Sequence, residues 1–366
     1  MVKLCNASPL KFIKYIADKD VYLWGAGKLA ENCIELYFHN KPIKAIVDNN
    51  KSLWGRQKKV EDRKIDIISL NHFVDEAKKS QSNNIVLLIT PTLSSADIVN
   101  QIDSIPELDG ITCFIHGLIR NTWDEDLGQF EFSQGKPRIP KIIHYFWVGG
   151  NPIPMNLQKC IDSWKRVNPD YEIKRWDESN YDFSWCPYMK EAYENKAWGF
   201  VPDVARLDVI YKYGGIYLDT DVESLKPFNR LLNDDAFFPM SCLDRIGIGA
   251  GFGAIKGHSI IKDMIDYYKD IHFVNVDGSQ NRTACYYYQY PVFKKYGFKV
   301  SGYYQKNNDI VVYPPEVLSP EGSGGLGNFY SKNTISIHHG SGTWVTKKER
   351  DNVTALRQLR DRARDM

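Results

Sequence analysis

The segment VPDVARLDVIYKYGGIYLDTDVESLKP, residues 201–227, decides how the surrounding region folds. Pro202 suits the first turn of a helix, where a missing N–H costs nothing, and Asp203 and Arg206, three apart, share one face of that helix. Gly214-Gly215 ends the helix, and Ile216-Tyr217-Leu218 continues as an extended apolar strand into Asp219-Thr220-Asp221. Side chains alternate along an extended segment, so Asp219 and Asp221 point the same way at the strand's carboxyl end, where α/β sheets place their ligands. Two carboxylates converging there suit Mg²⁺ or Mn²⁺, which prefer oxygen ligands and bridge to substrate phosphates. The spacing by itself says little, since Asp18-Lys19-Asp20 and Asp124-Glu125-Asp126 repeat it in apparent loops or helix ends. Only Asp219 and Asp221 follow a Gly-Gly break, an apolar strand and an Asp-x-x-Arg helix; the alternative is two solvated turn carboxylates.

Working outward, a strand over 141–147, a helix over 156–167, a strand near 171–176 and helices over 188–196 and 203–212 give this half an α/β pattern. His144, inside the first of these strands, reads as a hydrogen-bonded core histidine. The N-terminal half alternates likewise. Strands at 21–24, 43–47, 85–90 and 111–115 with helical stretches between them predict a parallel, doubly wound sheet. Its first turn, Gly25-Ala26-Gly27-Lys28-Leu29-Ala30, and Asp48 at the end of the next strand match a dinucleotide fingerprint in form: Gly25 and Gly27 for backbone approach to a pyrophosphate, Asp48 for a ribose. A structural or partner-docking role for this half is the other reading. The expected organisation is a Rossmann-like domain over 1–125, a polar linker over 126–140, a second α/β domain over 141–346 and a C-terminal basic helix over 347–366. That last helix carries seven Lys and Arg against four acids, with Leu356, Leu359 and Ala363 on one side. It is either docked by its leucines or laid with its basic face on anionic lipid.

Composition narrows the function. With 366 residues the chain is long enough for two cores, and 47 Lys and Arg against 45 Asp and Glu remove the basic footprint of a nucleic-acid binder. Seven scattered cysteines without a C-x-x-C pair suggest neither a disulfide framework nor a zinc site, which fits a reducing, cytoplasmic setting. No apolar run reaches the roughly 18 residues of a membrane span, so membrane contact is expected to be peripheral at most, at the inner face. Aromatic residues make up 13% of the chain, surface for stacking on sugar or base rings as much as core filler.

Five segments, ARLDVIYKYGGIYLDTD, IPKIIHYFWVGG, SWKRVNPDYEIKRWDESN, GFGAIKGHSIIKDM and SIHHGSGTW, occur in an order that resembles the DXD-containing glycosyltransferases of the sugar-binding-region type. That family includes bacterial capsular-polysaccharide and lipopolysaccharide glycosyltransferases and the yeast initiating mannosyltransferase, with the clostridial glucosylating toxins more distant. The resemblance covers about residues 138–345 and leaves 1–130 outside it. It implies a GT-A fold and metal-dependent, retaining transfer of a hexose from a nucleotide sugar, uridine-linked by preference, to a surface polysaccharide or lipid-linked glycan. Asp219 and Asp221 correspond to the DXD pair. Asp203, Arg206, Asp219 and Asp221 form the implied catalytic set, and Trp147, Tyr217 and Trp344 join Asp203, Arg206 and Asp219 around the donor. His339 falls where a third metal ligand is expected, with His338 facing the opposite way. Two rivals remain from other classes: a nicotinamide-dependent sugar oxidoreductase using the N-terminal domain, and a non-catalytic glycan-binding protein.

Overall fold

Two units divide the chain, Met1–Glu125 with Val345–Met366, and Asp126–Trp344. The computed structural model describes residues 1–39, 41–80, 84–123, 129–342 and 346–366. The proposed linker therefore lies in part outside the described residues.

In the first unit the apolar runs become adjacent strands of one sheet. Its order is Arg364–Asp365, Lys3–Asn6, Thr112–Ile115, Ile85–Ile89, Asp20–Trp24, Ala45–Val47, Arg63–Ile68 and Gln57–Val60. Every pairing is parallel except the terminal hairpin between Gln57–Val60 and Arg63–Ile68. Ile85–Ile89 is buried at all five positions, which explains its unbroken apolar sequence: a parallel strand is covered on both faces. The chain order reverses around Asp20–Trp24, whose neighbours come one from before and one from after the crossover, and the turn Gly25-Ala26-Gly27 leaves the sheet there.

The C-terminal helix, expected as a separate element beyond the second domain, instead belongs to the first unit. Helix Lys347–Arg362 starts on a capping box in which the Glu349 N–H donates to Thr346 Oγ1 (3.2 Å) and the Thr346 N–H to Glu349 Oε2 (2.7 Å). It packs on helices Ser95–Asp103 and His116–Ile119 through the buried Leu356 and Leu359, and Arg364–Asp365 then pairs in parallel with Lys3–Asn6. Arg362 holds the turn by an ion pair to Asp103 Oδ2 at 2.6 Å. The leucine face and an otherwise open sheet edge both gain burial or pairing from this return, an outcome that charge counting along the segment does not register. Leu356→Ala is expected to cost this unit about 2–5 kcal/mol, read as a lowered midpoint in urea unfolding.

The second unit is built on a mixed sheet, in the order Gln305–Asn307, Ile310–Tyr313, Ala236–Cys242, Phe252–Ala254, Gly215–Tyr217, Ile142–Phe146 and Glu172–Trp176. The last three run parallel, and Phe252–Ala254 is antiparallel to both its neighbours. Helix Pro202–Tyr213 belongs to one face, with Val204, Leu207 and Ile210 in its core. Helix Met155–Val167 covers the other through Ile161 and Trp164. Gly214 and Gly215, at φ +69° and +111°, turn the chain from helix into strand; a side chain on Gly215 would meet the Ile142 carbonyl at 2.6 Å, so the close strand approach requires glycine. A small antiparallel sheet, Val222–Ser224 with Ser336–His338, stands beyond the end of the central strand.

His144 is fully buried, as its place in an apolar strand suggests. Its Nε2 lies 2.9 Å from the Gly214 carbonyl and its Nδ1 accepts from Trp176 Nε1 at 3.1 Å, an arrangement satisfied by the neutral Nε2–H tautomer. Burial pushes its pKa down to about 4, the Gly214 carbonyl opposing. The unfolded chain takes up a proton near pH 6.5 and the folded chain only near 4, so stability falls as the pH drops through that window. Urea titrations at several pH values should show this slope, up to about 1.4 kcal/mol per pH unit, in the wild type and its loss in His144→Gln.

Candidate active site

The segment that organises the fold also places the acids. Asp203 sits in the first turn of helix Pro202–Tyr213 and is 6% exposed; Arg206, one turn on, is 4% exposed. The Arg206 guanidinium donates through Nη2 to Asp203 Oδ1 (2.9 Å) and through Nε to the Pro202 carbonyl (2.8 Å), and its Nη1 lies 3.4 Å from Asp219 Oδ1. It rests over the Tyr217 ring, 5.0 Å from the centroid, and the Tyr217 hydroxyl donates to Asp219 Oδ1 at 2.9 Å. A buried cation thus bridges two carboxylates, one of them half of the Asp-x-Asp pair.

Residues 219–221 are a turn rather than a continuation of the strand: Gly215–Tyr217 ends first, and the Val222 N–H donates to the Asp219 carbonyl. The turn carries the chain from the main sheet into the small one. Asp221 Oδ2 accepts from the Ser341 N–H (2.7 Å), and Asp221 Oδ1 lies 3.3 Å from His338 Nε2. Ligand atoms of Asp219, Asp221 and His338 all fall within 4.8 Å of one another. The expected third ligand, His339, is placed elsewhere, its Nε2 3.1 Å from Glu223 Oε2 and its Nδ1 3.9 Å from Glu321 Oε2. The pairing explains the exchange. His338 stands opposite the buried Val222 and shares a face with the buried Ser336, so it turns inward towards Asp221, while His339 lies just past the strand end.

The electrostatics match this layout. Burial raises the Asp203 pKa to about 7 against the pull of Arg206, and burial also raises that of Asp219. For Asp221 burial acts in the same direction but is outweighed by the charge and hydrogen bond of His338 and by the Ser341 N–H, leaving it well below the usual carboxylate range. Two carboxylates and an imidazole converging from two sheets make a donor set that fits Mg²⁺ or Mn²⁺.

The backbone turn Ile248–Ala250, in a glycine-rich run whose sequence allows either close backbone approach to a sugar or a plain turn, closes over this cluster. A Cβ on Gly249 would lie 2.8 Å from Asp219 Oδ2 and 3.8 Å from both Arg206 Nη1 and His338 Cε1. Gly249→Ala is expected to swing the Asp219 carboxylate aside and weaken Mn²⁺ binding roughly 10–100-fold, as losses in the supporting shell of a metal do. A Mn²⁺ titration checks this.

Of the other expected donor contacts, Trp147 stands at the carboxyl end of the neighbouring strand. The register pairs Tyr217 with His144, so Trp147 leaves the neighbouring strand alongside Asp219, half-buried, its indole N–H donating to the Asn151 carbonyl. Trp344 lies outside the described residues. In the first unit Gly25 has φ +96° and packs on Pro91, while Asp48 accepts the Ala26 and Asn50 N–H groups, one on each oxygen at 2.8 Å. Those bonds give Asp48 the work of holding the glycine turn.

Residues 154–238, which contain Asp203, Arg206, Asp219 and Asp221, match the family model described as a glycosyltransferase sugar-binding region containing a DXD motif. The chain carries a DXD glycosyltransferase domain. The domain is similar to inositol phosphoceramide mannosyltransferase 3 of Schizosaccharomyces pombe, 34% identical over 37% of this chain and 38% of that one, and to mannosyltransferase 1 of the same organism, 30% identical over 27% and 33%. It is also similar to human alpha-1,4-N-acetylglucosaminyltransferase, 28% identical over 30% of this chain and 31% of the other. The chain thus spans about a third of the length of the curated relatives it matches. The glycosyltransferase domain takes its DXD pair from the turn between two sheets, and the Asp-x-x-Arg helix supplies the cation behind it.

Proposed function

We propose that the second unit transfers a hexose or N-acetylhexosamine from a nucleoside diphosphate sugar to a glycan or a lipid-linked acceptor, with retention at the anomeric carbon. The observation that carries this reading is the buried Arg206 bridging Asp203 and Asp219 beside the Asp221–His338 pair. Breaking the bond from an anomeric carbon to a diphosphate develops positive charge on the sugar ring and negative charge on the leaving group. Asp219, Asp221 and His338 are the residues that would hold a divalent cation, which when bound supplies a Lewis acid for the leaving diphosphate. Arg206 is fixed by three partners in a water-poor setting, so it can face developing phosphate charge with little reorganisation. Asp203 fixes Arg206 and offers its carboxyl to sugar hydroxyls, and Tyr217 positions Asp219. The relatives' names include mannosyl and N-acetylglucosaminyl transfer, which keeps both sugar classes in the donor panel.

The test is release of nucleoside diphosphate from a panel of UDP- and GDP-sugars with Mn²⁺ or Mg²⁺ and with EDTA, while NAD(H) binding is followed in parallel. Metal-dependent release from one donor is the expected result. No release from any donor, with tight NAD(H) binding, would replace this reading by the oxidoreductase.

A further inference from the structure

A cavity of about 320 Å³ borders Asp221. Its walls include Lys159 and Cys160 from helix Met155–Val167, Asp221 and Glu223 from the turn and strand that follow the DXD pair, and His339 and Ser341 from the returning chain. Asp203, Arg206, Asp219 and His338 are not among its walls. Asp221 is thus shared: His338 meets one of its oxygens, and its side chain also borders this second space.

The charge of the lining selects the ligand class. With Asp221 committed to the cation cluster, Glu223 and Lys159 are the charged side chains left in the lining, and Glu223 can accept hydrogen bonds from neutral hydroxyl groups. Glu223 is already oriented, since His339 Nε2 lies 3.1 Å from its Oε2 and Glu321 approaches the other imidazole nitrogen at 3.9 Å. The volume is at the low end of the roughly 300–1,000 Å³ usual for small-molecule sites, room for one ring rather than an extended chain. We propose that this cavity is the acceptor subsite, taking a neutral polyhydroxylated ring, a sugar or a cyclitol, with Glu223 as its main hydroxyl-binding group. The proposal rests on the transferase reading above and adds a place for the acceptor: a ring seated there borders Asp221, one of the residues that would hold the cation for the donor's leaving group.

Calorimetric titration of the full chain, loaded with Mn²⁺ and UDP or GDP, with methyl α-mannopyranoside, methyl β-glucopyranoside and myo-inositol tests this without requiring turnover. At least one ring should saturate the wild type, and the comparison of inositol with the glycosides separates a cyclitol headgroup from a sugar terminus. Glu223→Gln should weaken that ring about tenfold or more, the usual cost of a lost charged hydrogen bond. Cys160→Phe, which fills the cavity from its helix wall, should abolish ring binding. In both variants nucleoside diphosphate affinity should stay within about twofold of wild type. The proposal is overturned if no ring binds, if Glu223→Gln leaves ring affinity unchanged, or if nucleotide affinity falls in step, which would put the cavity on the donor side. Ring binding with these variant effects, but no metal-dependent donor cleavage, would instead overturn the transferase reading and leave a polyol site.

Discussion

Asp221→Ala is expected to lower turnover by roughly 10³-fold or more while the chain keeps its fold, because the lost carboxylate is the link between the DXD turn and His338. Removing it takes one of three converging donors from the cation site and also frees the Ser341 N–H that anchors the returning loop. Asp221 stands at the edge of the core rather than within it, its side chain 13% exposed, so its removal leaves no sizeable cavity. Circular dichroism and the urea midpoint should stay close to wild type as donor cleavage collapses. Turnover near wild type would remove Asp221 from the mechanism.

Arg206→Leu is expected to damage both stability and function. The guanidinium is 4% exposed and partners two carboxylates, so a leucine leaves Asp203 buried without its cation, while Asp219, 29% exposed, keeps access to solvent. Breaking a buried ion pair from one side typically costs about 3–5 kcal/mol. The penalty should depend on pH with a definite sign. In the folded wild type burial already lifts Asp203 to about 7, and without Arg206, which pulls it down, it rises further. A carboxyl whose folded pKa lies above its unfolded value binds more protons when folded, so the variant's stability should fall as the pH rises from about 5 to 8. Urea unfolding of the variant at those two values reads the difference directly. Equal destabilisation at both would mean that Asp203 does not take up the proton.

Much of this architecture was legible from residues whose physical demands are local. Pro202, Asp203, Gly214 and Gly215 mark a helix start, a helix stop and a tight strand entry, and the structure has all three where expected. The buried run Ile85–Ile89 similarly announced a central parallel strand. What escaped the sequence depends on long-range pairing. His338 and His339 are adjacent and chemically identical, and only the register against Val222–Ser224 decides which of them turns towards Asp221. The same holds for Gly249: its need for glycine comes from Asp219, thirty residues away in the chain, and not from its own backbone angles. The leucines of the terminal basic helix announced its docking, but nothing in its own sequence records where it docks, or that Lys3–Asn6 leaves an edge for Arg364–Asp365 to pair with.

The central claim, a divalent cation held by Asp219, Asp221 and His338, is tested most directly by electron paramagnetic resonance of Mn²⁺ bound to the full chain, read for coupling to histidine nitrogen. One Mn²⁺ should bind, with imidazole nitrogen coupling that vanishes in His338→Ala and persists in His339→Ala. Coupling that survives loss of His338 and vanishes with His339, or bound Mn²⁺ with no nitrogen coupling at all, would contradict it.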